Sequence, residues 1–159
     1  MLLRSGEVAH HVYFVLEGIL HQYYLDELGN ERSCHFALED NFITDLESFS
    51  QQTRSASSIQ ALTTVRCLCI SCTAIAELMK LSTAFSEFLR LLMENVAFES
   101  IKRTKSFLSS SPEQRYETLL QERPEIVMRV PQKYIAQYLG IAPESLSRIK
   151  KRSLLAAKS

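Results

Sequence analysis

The sequence predicts an α+β protein, an antiparallel β-roll followed by helices alone. Short strand-like runs separated by turn signals fill roughly the first 70 residues. Helical spacing of apolar residues then takes over and persists to the end. The charge also changes sign near residue 129. Residues 1–128 hold 11 Lys or Arg and 17 Asp or Glu, a net of −6, whereas residues 129–159 hold seven Lys or Arg against Glu144, a net of +6.

The strands follow in order. "HVYFVLEG" is rich in β-branched and aromatic residues and stops at Gly18. "ILHQYYL" comes next, then "DELGN", a turn carrying Gly29 and Asn30. "ERSCHFAL" alternates, which places Cys34 and Phe36 on one face. "NFITDLESF" is short and mixed, and "SIQALTTVRCLCIS" supplies two more strands, 59–63 and 65–70. Such a series suits an antiparallel barrel or a roll of the double-stranded β-helix, jelly-roll type.

The helices begin with a short one at 73–80. From residue 83 to about 107, apolar residues recur at Phe85, Phe88, Leu89, Leu92 and Val96, then less regularly at Ile101 and Phe107. An apolar stripe of this length needs a partner, whether the roll or a second copy of the helix. In "SSSPEQRYETLLQERP", Ser111 is a good N-cap, Pro112 fits the first helical turn and Gln114 completes a capping box. Pro124 stops that helix after Arg123. The serine run marks a boundary, which gives a roll over 1–82, a long helix over 83–110 and a helical unit over 111–159.

Composition excludes several classes. At 46% hydrophobic and 23% charged the chain reads as globular, and no apolar run reaches the length of a membrane helix. Four cysteines without an apolar leader fit reduced thiols in a cytoplasm. No nucleophile elbow, P-loop or dinucleotide fingerprint is present, and no paired carboxylates suggest an active site, so no enzyme is expected.

The basic end is the most informative segment. "PQKYIAQYLG" reads as a helix ending at Gly140, the favoured residue for a left-handed helix end. Pro143 opens a second helix, "PESLSRIKKR". Ile135, Leu139 and Ile141 are apolar on the inside, and Leu146 and Ile149 share a face that can pack on the small Ala136. Glu144, Ser145, Ser147, Arg148 and Lys151 are left outside, and these residue types reach base edges and phosphates. The alternative for this segment is a helical hairpin with a solvated basic face.

From "SGEVAHHVYFVLEGIL" through "GNERSCHFALEDNFITDLESF" to "IAQYLGIAPESLSRIKKR", the chain resembles the Crp/Fnr-type bacterial transcription regulators. These join a cyclic-nucleotide-binding-type β-roll to a long dimer helix and a helix-turn-helix. The resemblance implies that the chain lacks the roll's opening helix and strand and the C-terminal wing. In "ITDLESFSQQTRSA", Arg54 and Ser55 match the family's phosphate-binding pair, while Thr44 and Asp45 stand where Gly and Glu hold the ribose. A side chain at position 44 crowds a ligand, and Asp reaches one methylene less far than Glu. Phe98 and Glu99 replace hydroxyl residues of the cAMP-binding members. The pocket is therefore expected to be degenerate for cyclic nucleotide, with some other small-molecule effector left open and no cofactor implied.

Further along, Glu144 and Arg148 match the family's base-reading pair, and Gln132 is placed to touch phosphate. Ser145 lies beside them, and Lys150, Lys151 and Arg152 are expected to supply salt-dependent backbone affinity. Phe88, Leu92 and Val96 are expected in the dimer seam. The implied partners are double-stranded DNA, a second copy of the chain and RNA polymerase, with no membrane. Two rival readings are a roll whose tail docks protein and a cupin-like metalloprotein.

The rival metal readings rest on two groups. Cys67, Cys69 and Cys72 are close in sequence, but their spacing is not a zinc pattern and they read as small buried hydrophobes. His10 and His11 are adjacent, so on a strand they face opposite ways. With His21 and His35 they are expected to be loop or surface histidines, and no metal is expected.

Overall fold

The computed structural model describes residues 1–156. Six strands form the roll: β1 (His11–Glu17), β2 (Leu20–Leu25), β3 (Glu31–Ala37), β4 (Phe42–Ile43), β5 (Ser57–Ala61) and β6 (Arg66–Ser71). They make two three-stranded antiparallel sheets, ordered β4-β1-β6 and β3-β2-β5. Helix α1 (Leu46–Gln51) interrupts the strands, capped by Asp45. The helices α2 (Cys72–Leu81), α3 (Thr83–Ser109), α4 (Pro112–Glu122), α5 (Pro124–Arg129), α6 (Gln132–Leu139) and α7 (Pro143–Ala156) follow. The α+β roll with a long helix is as the sequence predicts. The last two strands begin and end within two residues of the expected positions, and α5 is additional. Its start is fixed by Pro124, which ends α4 but also fits the first turn of a new helix.

Two apolar clusters hold the molecule together. Leu3, Ala9, Val15, Leu20, Ala37, Ile43, Phe49 and Ile59 fill the roll. The second cluster joins Ile19, Phe36 and Leu38 of the roll to Tyr116, Leu119, Ile126, Ile135, Ala136, Leu139, Leu146 and Ile149 of the helices. The sheet β3-β2-β5 is therefore covered on both faces. Leu20 and Ala37 point into the roll, while their neighbours His21 and Phe36 point towards α6. Each fully buried Leu or Ile contributes about 1.5–3 kcal/mol relative to exposure.

A bulge sets the face of β3. Tyr23 pairs with Ser33 and Gln22 with His35, so Cys34 is left without a cross-strand partner. The extra residue reverses the alternation and puts Ser33, not Cys34, on the side of Phe36. Cys34 instead donates its thiol to the Gln22 carbonyl. Simple alternation had placed Cys34 beside Phe36, and the bulge is why it fails.

Two other expectations are corrected. His21 is fully buried rather than at the surface, and His35 is half-buried. Cys69 is exposed rather than buried, and its neighbour Leu68 on the opposite face is 52% exposed, so β6 is left open on both faces there.

Candidate nucleic-acid interface and effector pocket

The α6–α7 pair is built as its spacing predicts. Gly140 ends α6 in the left-handed region at φ 68°, and its N–H bonds back to the Gln137 carbonyl. A Cβ there would lie 3.0 Å from the Phe107 ring, so a side chain at this position meets backbone strain and a tight contact together. Pro143 opens α7 after a three-residue turn. Ile135, Ala136, Leu139, Leu146 and Ile149 are buried together, which fixes the two helices against each other. Arg115 of α4 donates to the Leu139 carbonyl and ties down the end of α6.

The opposite side of α7 is open. Glu144, Arg148 and Lys151 recur at helical spacing and are all exposed. Glu144 and Lys151 have no hydrogen-bond or ion-pair partner among the described residues, and Arg148 touches only the Ser145 hydroxyl, at 3.3 Å. Gln132 is exposed in the first turn of α6. Three predicted residues sit at the margin of this face. Ser145 and Lys150 are half-buried, and Arg152 is paired with Glu113 of α4 at 2.8 Å.

The expected effector residues satisfy one another. Burial raises the Asp45 carboxyl, but hydrogen bonds from Ser55, Ser57 and the Ser48 amide outweigh it and hold the group below its ordinary value. Its Oδ2 accepts from the Ser55 and Ser57 hydroxyls, both at 2.6 Å, and Oδ1 accepts from the Ser48 N–H at 3.0 Å. The Thr44 hydroxyl donates to the His11 carbonyl. Arg54 is exposed, and its side chain has no ion-pair partner among the described residues. The structure brings Asp45 and Ser55 together as hydrogen-bond partners of each other. Among the described residues no three His, Cys, Asp or Glu side chains converge as metal ligands would, and none of the helices is long and apolar enough to cross a membrane.

Helix α3 has no buried residue. Phe88 leans towards the roll, its ring 6.3 Å from Phe42, and Leu92 is half-buried. Val96 is exposed. The more open stripe is Leu91, Phe98, Ile101 and Leu108, which are 52% to 83% exposed. Their spacing of seven, three and seven is that of a coiled-coil seam. Sequence periodicity missed this stripe because Glu94 and Lys105 occupy the intervening seam positions.

Several solved structures share this fold. FixK2 from Bradyrhizobium japonicum superposes with a TM-score of 0.82 at 15% identity, covering 98% of this chain and 80% of that one. A protein described as a transcriptional regulator of the crp/fnr family from Eubacterium rectale gives 0.67 at 20% identity, covering 94% and 71%. The c-di-GMP-responsive global regulator CLP of Xanthomonas campestris gives 0.65 at 16% identity, covering 98% and 83%. No curated protein matches the sequence. Residues 1–82, just over half of the chain, match the cyclic nucleotide-binding domain, and the chain belongs to that family.

Proposed function

We propose that the chain is a sequence-specific DNA-binding regulator of the Crp/Fnr type that works as a dimer, with a sensor roll that does not take cyclic nucleotide. Residues 1–82 form the sensor, 83–110 the dimer helix and 111–159 the DNA-binding unit. The observation that carries this reading is the face of Glu144, Arg148 and Lys151. These side chains are exposed and bond to no other element among the described residues, on a helix whose other side is locked into the core. A glutamate accepts from cytosine, an arginine donates bidentately to guanine, and lysines neutralise phosphate.

The open stripe on α3 supports a second copy. Leu91, Phe98, Ile101 and Leu108 suit a parallel partner, which would present two α7 helices to successive major grooves of a pseudo-palindromic site. The resemblance of the fold to known regulators supports the same reading.

Filter binding of a random-sequence duplex pool tests it, with the bound fraction re-amplified and measured at two salt concentrations. The expected result is enrichment of an inverted repeat, with affinity falling steeply between about 50 and about 200 mM salt. Binding that stays level with salt, or a pool that never converges, would refute the reading.

A further inference from the structure

We propose that His21, a residue of the roll, positions the DNA-reading helices through a directional hydrogen-bond relay that runs from His21 to Ser33 to Gln137. The proposal rests on the DNA-binding reading above for its consequence, though not for its geometry.

The relay is buried at His21 and Ser33 and part-buried at Gln137, and hydrogen count gives its direction. The Ser33 hydroxyl donates to Gln137 Oε1 on α6 at 2.9 Å. Its single proton is thereby used, so at its 2.8 Å contact with His21 it accepts, and His21 Nε2 carries the proton. His21 Nδ1 then accepts from the Gln60 amide at 3.3 Å. Both ring nitrogens are satisfied by the neutral imidazole in one tautomer. The ring lies 5.0 Å from Phe36, 5.3 Å from Tyr23 and 4.6 Å from Tyr134 of α6. The charged group facing it is Lys133, also on α6.

An apolar contact between the roll and α6 could slide with little penalty. A buried relay cannot, because any shift orphans a donor or an acceptor. The relay exists only because the Cys34 bulge turns Ser33 towards α6. Gln137 lies one residue from Ala136, which seats α7, and three from the turn glycine. A displacement at His21 is therefore passed to the pose of α7.

The test compares His21→Phe with His21→Gln. Phe keeps the ring contacts and removes both hydrogen bonds, while Gln restores a donor near the Nε2 position. Amide NMR spectra of the DNA-free protein should shift along α6 and across residues 144–151 for Phe and return for Gln. Shifts confined to β2 and β3 would overturn the relay. Specific DNA affinity should fall about tenfold for Phe with an unchanged salt slope, and recover for Gln. Unchanged or raised affinity would also overturn it. Gln137→Leu breaks the same path from the other end and should move the His21 ring-nitrogen signals, which covers the case of a His21→Phe variant that fails to fold. Wild-type protein that selects no DNA sequence would defeat the DNA reading alone, and the NMR spectra would still decide the relay.

Discussion

The Arg103 guanidinium lies over the Tyr138 ring, 3.9 Å from its centroid, and so joins the long helix α3 to α6. The same group donates to the backbone carbonyls of Cys34, Ser33 and Tyr138. One side chain thus holds α3, the bulged part of β3 and α6 at a single junction. The carbonyl of the bulged Cys34 finds its donor here. Arg129 adds a second tie nearby, a two-pronged pair to Glu39 at 2.6 and 2.8 Å.

Arg103→Ala is expected to cost about 2–4 kcal/mol of stability, the combined loss of a cation–π contact and charge-assisted hydrogen bonds. Arg103→Lys should recover less than half, since an ammonium can neither stack on Tyr138 nor reach three carbonyls from one plane. Denaturant unfolding of the three proteins measures both. A lysine variant as stable as wild type would show that charge alone matters at this junction.

Acid should loosen the contacts between the roll and the helices. Burial, and secondly Lys133, push His21 down from its ordinary 6.5 to about 4. Between those values the unfolded chain holds a proton that the folded one refuses, so stability falls as pH drops through the window and is complete above about 6.5. His35 adds to this slope, lowered by burial and then by Arg123 and Arg103. Glu39 works in a lower window. The Arg129 hydrogen bond holds it at about 2, so its contribution is lost as pH falls from 4.5 towards 2. Unfolding midpoints measured from pH 7 to pH 4 should decline, and His21→Phe should roughly halve that slope. A variant with the wild-type slope would exclude His21 as its source.

Much of this was legible in the residues themselves. The capping box of Ser111 and Gln114, the αL stop at Gly140 and the seating of Leu146 and Ile149 on Ala136 are local rules, and each holds. What was not legible depends on pairing across the chain. The bulge at Cys34 is a property of two strands, and without it Ser33 would face away from Phe36; the burial of His21 needs α6 to cover that face of the sheet. The mutual engagement of Asp45 with Ser55 and Ser57 likewise requires β5 to return beside α1. For Arg152, sequence shows a free cation, and only the packing of α4 beside α7 reveals Glu113 as its partner.

The engagement of Asp45 makes a further prediction. A ribose would have to displace two hydroxyl donors at 2.6 Å from a carboxylate that is otherwise fully used. Calorimetry with cAMP and cGMP is expected to show no saturable heat. Saturable heat in the micromolar range for either would mean that this network opens to ligand.

The α3 stripe should control assembly. Ile101→Glu introduces charge into the centre of the proposed seam, where Ile101 is 65% exposed in the single chain. Sedimentation should show the wild type as a dimer and Ile101→Glu as a folded monomer. Val96→Glu, off the seam, should remain dimeric. The opposite pattern would return the seam to the Phe88, Leu92 and Val96 face.

Two residues on α7 test the proposed division between reading and holding DNA. Arg148 is exposed one turn beyond Glu144, where a guanidinium can form a bidentate pair with a base edge. Arg148→Ala should therefore cost about 1–3 kcal/mol on the selected site and relax discrimination at one position. Lys151 is one turn further on and free of partners, suited to phosphate. Lys151→Ala should weaken all sequences alike and reduce the salt slope by about 1. Competition binding against single-base variants of the selected site, repeated at several salt concentrations, distinguishes the two. If both variants lose affinity uniformly and discrimination survives, α7 holds DNA without reading it, and the specificity assigned to Glu144 and Arg148 is wrong.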